Sequence, residues 1–593
     1  MTLIRRWVIG GALLLSAIFV AVPVGALLVY FFYHHQLPLA PSDFIAASID
    51  SAVPSFIAIF ISLVLGLFAG YYLATRSNKI TKLGILLFRV PLGVPPLIAG
   101  LMLLISLGPN SPIGKVFNGR LTDSLAGVTI AQLFAALPFT IEGFRGAFSL
   151  LEREAQVVAD SLEMGEITRL LVIFTPLIWP SLRSTLVTSY LRAFGEFGAV
   201  LIVAYSPASL PIYTYVSFEG SGLPATVIPV IATLVISGAF AFVISRINWP
   251  KSVRLWRFFG LLRVSKGQVA TVRGEIGVAI EGQVGDFRVD IHLKIGEGTT
   301  AIVGSSGSGK TLTLHSLAHH QVEGLKLSFD PSESSFSRRI GYVPQRGGLW
   351  RHLSLRENID LVLSVSDSQY SCDYLIDLFG VSSFADVPIT SLSGGQYQRG
   401  AIVRAFASNS EVMIMDEPLS QIDVARRREV IDFIREFVVP RVRYLLLVTH
   451  DIDEAIVLAD VVNIVNRGKV EGSARSDEVL LTPMTKASAS ALGFFNFFRS
   501  GGSLYAFLEK DATIIADGRG VPVTNDYVAI DGLSVERVIS TTRGSVTSLI
   551  STRSEDSAGK YSVVANGPLN SEVLVGEIVS IAVPRARLVL ILE

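Results

Sequence analysis

The chain has 593 residues, 50% of them hydrophobic and only 17% charged, with 50 cations balancing 50 acids. Soluble proteins carry about 25% charged residues, so a wholly aqueous fold is excluded, and a net charge of +0 excludes a global preference for nucleic acid. The single cysteine, Cys372, excludes an internal disulfide, fits a reducing compartment and reads as a small core residue.

Residues 1–250 hold six apolar runs: Val8–Tyr33, Ala52–Ala74, Ile85–Leu107, Leu125–Phe144, Ser184–Ala204 and Thr226–Ser245. Each is near the ~20 residues that a bilayer requires. Arg5 and Arg6 precede the first run, but that run is longer than the ~7–15 residues of a signal peptide's apolar region, so it reads as an uncleaved helix. One set of loops carries Arg76, Lys79, Lys82, Arg145, Arg153, Arg169, Arg246, Lys251, Arg254 and Arg257, whereas the opposite loops carry only Lys115 and Arg120 with His34 and His35. Cations favour the cytosolic side, which puts both ends of this half there.

Pro91, Pro95 and Pro96 interrupt the third run, and broken helices are tolerated only beside protein or a water-filled cavity. In RAFGEFGA, Arg192 and Glu196 stand one helical turn apart. Two readings stand for them: groups of a transport pathway, or an i,i+4 ion pair joining helices. Between the fourth and fifth runs, SLLEREAQVVADSLEMGEITRLLVIFTPLIWP reads as a cytosolic helical stretch ending at Pro176 and Pro180. This stretch resembles the coupling segment of the permeases of binding-protein-dependent ABC importers, a Glu-Ala-Ala…Gly signature before a proline. Aligned on Pro176, the family's glutamate falls at Gln156 and its glycine at Glu163.

A basic, aromatic linker, 251–273, follows, with Trp256, Phe258 and Phe259 suited either to a membrane surface or to a solvated connector. Next, TTAIVG reads as a strand, GSSGSGKT as a loop and the following run as a helix, the context of a P-loop. Gly304, Gly307 and Gly309 let the amides around Ser305, Ser306 and Ser308 turn onto nucleotide phosphates. Lys310 neutralises the β and γ groups, and Thr311 offers its hydroxyl to magnesium, so ATP and Mg2+ are the expected ligands.

EVMIMDEP reads as a buried strand ending in Asp416, a magnesium group, and Glu417, placed to polarise an attacking water. RYLLLVTHD ends at His450, a γ-phosphate contact, and GYVPQ places Gln345 where its amide reaches both magnesium and the membrane domain. In SLSGGQYQRG, Ser393 with Gly394, Gly395 and Gln396 opens a helix whose N-terminus favours anions. LSGGQ at Leu392–Gln396 is the signature of ABC ATPases, and the resemblance covers about Gly274–Asn496. It implies that this signature closes on the γ-phosphate held by a second ATPase, so two chains meet. SQID stands where the family has Ser-Ala-Leu-Asp, with Asp423 retained, and Phe287 is either the adenine-stacking ring or a core residue.

The permease strings RVPLGVPPLIAGLMLL, RAFGEFGAVLIVAYSP and PIYTYVSFEGSGLPA resemble the molybdate/tungstate branch of ABC importers, itself close to sulfate permeases. The resemblance implies import of an oxyanion delivered by an external binding protein. A sulfate importer, an exporter and a membrane-anchored ATPase that transports nothing are the alternatives. The short first cytosolic loop, Arg76–Lys82, speaks against an exporter, and the broken third run speaks against a mere anchor. The tail, 501–593, alternates short β-like runs with glycine turns, which suggests a small barrel. It resembles the OB-like regulatory domains of oxyanion importers, without the aromatics and cations of a nucleic-acid site. The expected whole is an all-α six-span permease (1–250), the linker, an α/β P-loop ABC ATPase (274–496) and a C-terminal β-barrel (501–593). It is expected to work as a homodimer in the cytoplasmic membrane, among lipid, with its ATPase and tail in the cytosol.

Overall fold

The computed structural model describes residues 2–34, 41–76, 78–249, 274–318, 322, 324–330, 340–346, 348–479, 484–492, 494, 496–500 and 503–507. In the tail it describes 513–515, 527–540, 547–553, 561–567, 578–584 and 588–592. The linker 251–273 and the tail acids Glu555, Asp556 and Glu572 lie outside the described residues. The chain divides into two compact units, residues 1–151 with 170–250, and residues 152–169 with 251–593.

Among the described residues, five helices are long and apolar enough to cross a membrane: Leu14–Tyr33, Pro41–Thr75, Leu125–Phe148, Glu166–Phe194 and Leu223–Arg246. A sixth span results if the pair Lys79–Gly93 and Pro96–Leu107, bent by 116°, counts as one. The bend falls at the expected prolines: Val90–Gly93 tightens into a 3-10 turn, and Pro95 and Pro96 open the next helix. Proline lacks the N–H that would continue the ladder, which is why the break sits here.

Two expectations need correcting. The run Ser184–Ala204 is not one helix, and LVIFTPLIWP is continuous with the helix that follows it. The long helix Glu166–Phe194 instead runs through LVIFTPLIWP and stops at Gly195. Glu196 then accepts from the amide of Ala199 at 3.0 Å, starting a separate helix, Gly198–Val203. That short helix lies against Pro96–Leu107 so closely that a Cβ on Gly100 would fall 2.9 Å from Ala199 Cα. Glycine permits the approach, as between Pro41–Thr75 and Leu125–Phe148, where a Cβ on Gly70 would stand 2.8 Å from Phe144 Cβ. Two contacts of buried hydroxyls join separate helices in this unit, Thr140 donating to Ser189 at 2.9 Å and the Leu210 amide to Ser51 at 2.6 Å.

The second unit is built on a nine-stranded sheet in the order β4-β1-β2-β9-β8-β3-β7-β6-β5. Its strands are β1 Ile276–Val284, β2 Phe287–Ile295, β3 Gly298–Val303, β4 Leu325–Asp330, β5 Gly341–Val343, β6 Val412–Asp416, β7 Tyr444–Thr449, β8 Val461–Asn466 and β9 Lys469–Arg475. The strands β5, β6, β7, β3 and β8 run parallel. β5, β6 and β7 are buried throughout, as parallel strands covered on both faces require. The helix Arg153–Ser161 belongs to this unit, where the Ile340 amide donates to Ser161 O at 3.0 Å and Arg351 stands 3.7 Å from Glu152.

Beyond the sheet, β10 Met484–Thr485, β11 Asn496–Ser500, β12 Ser503–Phe507 and β18 Val589–Leu592 form a second sheet in the order β10-β18-β12-β11. Leu504 and Ala506 of β12 share a buried cluster with Val303, Ile452 and Ile464. The remaining strands, β13 Thr513–Ile515, β14 Tyr527–Ser540, β15 Thr547–Arg553, β16 Tyr561–Gly567 and β17 Ile578–Pro584, pair in the closed order β13-β16-β15-β14-β17.

Candidate nucleotide site

The groups of interest leave the carboxyl ends of adjacent parallel strands, the edge at which open α/β sheets bind ligands. The P-loop follows β3, Gln345 follows β5, Asp416 and Glu417 close β6, and His450 follows β7. Register makes them neighbours, since Val343 pairs with Met415, Asp416 with Val448 and Val303 with Thr449.

In the P-loop, Gly307 (φ 81°) and Gly309 (φ 102°) adopt left-handed conformations that side chains disfavour. A Cβ on Gly304 would fall 2.1 Å from Val465 O, so the loop's first glycine is required by close approach. Lys310 opens the helix Lys310–Leu317 and is only 6% exposed; its ammonium donates to Gly304 O at 2.7 Å and to Ser305 O at 2.9 Å. Burial lowers its pKa, while Glu417 and Asp416 oppose that shift. The hydroxyl of Ser308 is buried with no hydrogen-bond partner. The ring of Phe287 stands 3.2 Å from where a Gly309 Cβ would be, which places it against the loop.

Glu417 has φ 44°, an uncommon conformation for a non-glycine residue that turns its side chain off the strand end. One of its oxygens accepts from Gln345 Nε2 at 2.8 Å and lies 3.3 Å from His450 Nδ1. Asp416 is 2% exposed and hydrogen bonded to Thr311, yet its Oδ1 has no partner. Burial, then the charge of Glu417, raises its pKa to about 7. An orphaned buried carboxylate oxygen beside a hydroxyl fits a hard cation with oxygen ligands.

This raised pKa gives a testable sign. Between the ordinary value of 3.8 and about 7 the folded chain binds more protons than the unfolded one, so Asp416 costs stability as pH rises through that window. Asp416→Asn should therefore raise the unfolding midpoint of the nucleotide-free protein at pH 8 by several degrees. The gain should shrink toward pH 4, and a gain independent of pH in thermal scans would contradict the assignment.

The structure brings Gln345, Glu417, His450, Lys310, Asp416 and Thr311 together, whereas the signature faces its own partners. Ser393 caps the helix Gly394–Phe406, and Ser393 and Gln396 form a reciprocal capping box, 3.0 and 3.4 Å. Gly394 and Gly395 occupy the first turn behind it, and Asp423 stands at the N-cap of Val424–Phe433 without a side-chain cap bond. In the other unit Arg192 and Glu196 go to different partners. Arg192 donates to Ala135 O at 3.3 Å and stacks 4.3 Å over the Phe139 ring, while Glu196 holds the Ala199 amide. The i,i+4 ion-pair reading is thereby replaced.

Sequence reasoning missed Arg404. It is fully buried, donates to Tyr342 O at 2.7 Å at the strand leading to Gln345, and burial lowers its pKa to about 10. A cation among the apolar positions of AIVRAFA was the available signal. It also missed Glu454, which accepts from Thr449 at 2.7 Å and meets Arg427 at 3.4 Å beneath His450.

An apolar helical unit and a P-loop cassette on a mixed sheet together define a membrane protein with a nucleotide-binding engine. Residues 288–420 match the ABC transporter family, and residues 62–249 match the binding-protein-dependent transport system inner membrane component. The Molybdenum import ATP-binding protein ModC of Paramagnetospirillum magneticum is 37% identical over 219 residues, 34% of this chain and 59% of that protein. The Sulfate/thiosulfate import ATP-binding protein CysA of Bacillus cereus is 32% identical over 247 residues, 38% of this chain and 68% of that protein. A dimeric ATP-binding cassette in a post-hydrolysis state bound to ADP and Pi is 22% identical, with TM-score 0.29, covering 34% of this chain and 98% of that one. The chain spans 58–59% of the length of the first ModC relatives that it matches. It belongs to the ABC transporter family and carries the inner-membrane component and the ATP-binding cassette in one polypeptide.

Proposed function

We propose that two copies of this chain import a tetrahedral oxyanion, molybdate or tungstate, across the cytoplasmic membrane at the expense of ATP. An external binding protein delivers the anion, and the cassettes and tail lie in the cytosol. The observation that carries the motor is the convergence of Lys310, Gln345, Glu417 and His450 at one sheet edge. Lys310 binds the β and γ phosphates in place of the carbonyls that it now meets. Glu417 accepts a proton from the attacking water, while Gln345 and His450 fix the carboxylate's orientation and register the γ-phosphate. Thr311, Asp416 and Gln345 would hold a magnesium ion, whose chemistry is to neutralise phosphate charge. Ser393, Gly394 and Gly395 of each chain reach the γ-phosphate bound by the other.

The helix Arg153–Ser161 belongs to the cassette's unit, which supports its reading as the coupling segment. The pair bent at Val90–Gly93 is read as one broken span, giving six. Anion identity rests on the permease strings and on the named molybdenum relatives; the sulfate/thiosulfate relatives, at 32 to 35% identity, keep sulfate as a second reading. The tail strands paired in closed order are read as a small barrel that senses the imported anion.

Vesicles bearing the transporter and its binding protein should take up tungstate or molybdate in preference to sulfate, because fixed donors discriminate by ion radius. A chain in which a short linker replaces residues 513–584, keeping β12 and β18 in place, should keep basal hydrolysis and lose inhibition by added tungstate. Preference for a sugar, peptide or cation would end the oxyanion reading.

A further inference from the structure

On the Leu125–Phe148 helix, Ala135, Phe139, Glu142 and Gly146 form a half-exposed stripe, which continues toward the helix N-terminus into the buried Ala131 and Val128, while Phe144 and Ala147 are buried on the other side. Three arginines from three places in the chain meet that stripe. Arg192 lies over Phe139 and bonds Ala135 O. About one turn nearer the helix C-terminus, Arg89 and Arg145 both grip Glu142, at 2.6 and 2.7 Å to the same oxygen, Oε1. Arg89 is the last residue before the bend of the broken span and remains 53% exposed. On the stripe itself one carboxylate, Glu142, faces three guanidinium groups.

Charged groups at membrane depth face a protein interior or a water-filled cavity rather than lipid. Glu142 lies six residues, about 9 Å at 1.5 Å per residue, before the end of a helix that is long and apolar enough to cross a membrane. Higher on the same face, Gln132 is fully buried, with both amide atoms lacking a hydrogen-bond partner. This buried amide, three residues before Ala135, is a donor and an acceptor without a partner.

We propose that this face of Leu125–Phe148 is an anion track, in which Arg89 and Arg145 form a subsite for a tetrahedral oxyanion that takes the place of the Glu142 carboxylate. The proposal rests on the oxyanion reading above and adds where the anion binds within the permease. Guanidinium forks match oxyanion geometry bidentately, and Glu142 serves as the resident counter-ion that keeps the empty track neutralised.

A local reporter tests it. A Cβ at Gly146, one turn from Glu142, meets no atom within 4 Å, so Gly146→Cys is tolerated in a full-length Cys372→Ser background. Sodium tungstate should slow maleimide labelling of this thiol about tenfold. Arg89→Gln or Arg145→Gln should raise the tungstate concentration for half-protection at least tenfold, and Glu142→Gln should lower it. Basal ATP hydrolysis and thermal unfolding of each variant check folding. If Glu142→Gln, the shape-conserving change, leaves protection unchanged, or if the arginine variants do, the cluster is only a brace and the subsite is overturned. Uptake of tungstate continuing in that case leaves the cargo reading intact. Vesicles that take up none of tungstate, molybdate and sulfate overturn the cargo reading and the subsite with it.

Discussion

Glu417→Gln should retain ATP binding and hold two chains closed, while hydrolysis falls roughly 10²–10⁴-fold, the usual contribution of a positioned general base. The amide keeps the shape that Gln345 contacts at 2.8 Å but can no longer accept a proton from water. Lys310→Ala should fail earlier, at nucleotide binding. Its ammonium, now bonded to Gly304 O and Ser305 O, is a buried positive charge at the mouth of the loop. Losing a charged hydrogen bond costs about 1.5–3 kcal/mol, some ten- to hundredfold in affinity. Equilibrium nucleotide binding and phosphate release, measured on both variants, separate the two failures. Undiminished hydrolysis by both would remove these residues from the motor.

Hydrolysis should also require two chains, with a sharp complementation pattern. Each chain has one P-loop and one signature, and the serine and glutamine of the signature spend their hydrogen bonds on each other. Ser393→Arg alone should abolish activity by blocking both composite sites of a homodimer, and Lys310→Ala alone should do the same. A heterodimer of the two variants places both defects in one site and leaves the other intact. Mixed chains should therefore recover activity that neither homodimer has, detectable as hydrolysis that peaks when the two variants are mixed in equal amounts and vanishes at either extreme. Activity in a strictly monomeric preparation would defeat the composite-site reading.

Tungstate protection at Gly146→Cys, by contrast, reads a feature with no local sequence signature. Arg89 and Glu142 are 53 residues apart, and nothing in RVPLG or TIEGF announces their 2.6 Å contact. The same holds for Arg404, whose charge in a helical run gives no measure of its burial until Tyr342 O and Trp350 are packed around it.

The sequence by itself determined the motor's parts and the membrane character of the first half. A P-loop is a local backbone device: glycines that permit φ 81° and 102° and a lysine at the head of the helix are all encoded within eight residues. Strand ends carrying Asp416, Glu417 and His450 were legible because buried parallel strands read as continuous apolar runs. Apolar length likewise revealed the long helices, since the bilayer's thickness sets it. Only the tertiary structure decided that Gln345 and His450 share one Glu417 oxygen, that the helix Glu166–Phe194 ends at Gly195, and that Arg192 leaves Glu196 for Phe139. Those outcomes depend on register between strands and on glycine-permitted approach between helices. Both are set by residues distant in the chain, and neither hydrophobic periodicity nor a linear motif records them.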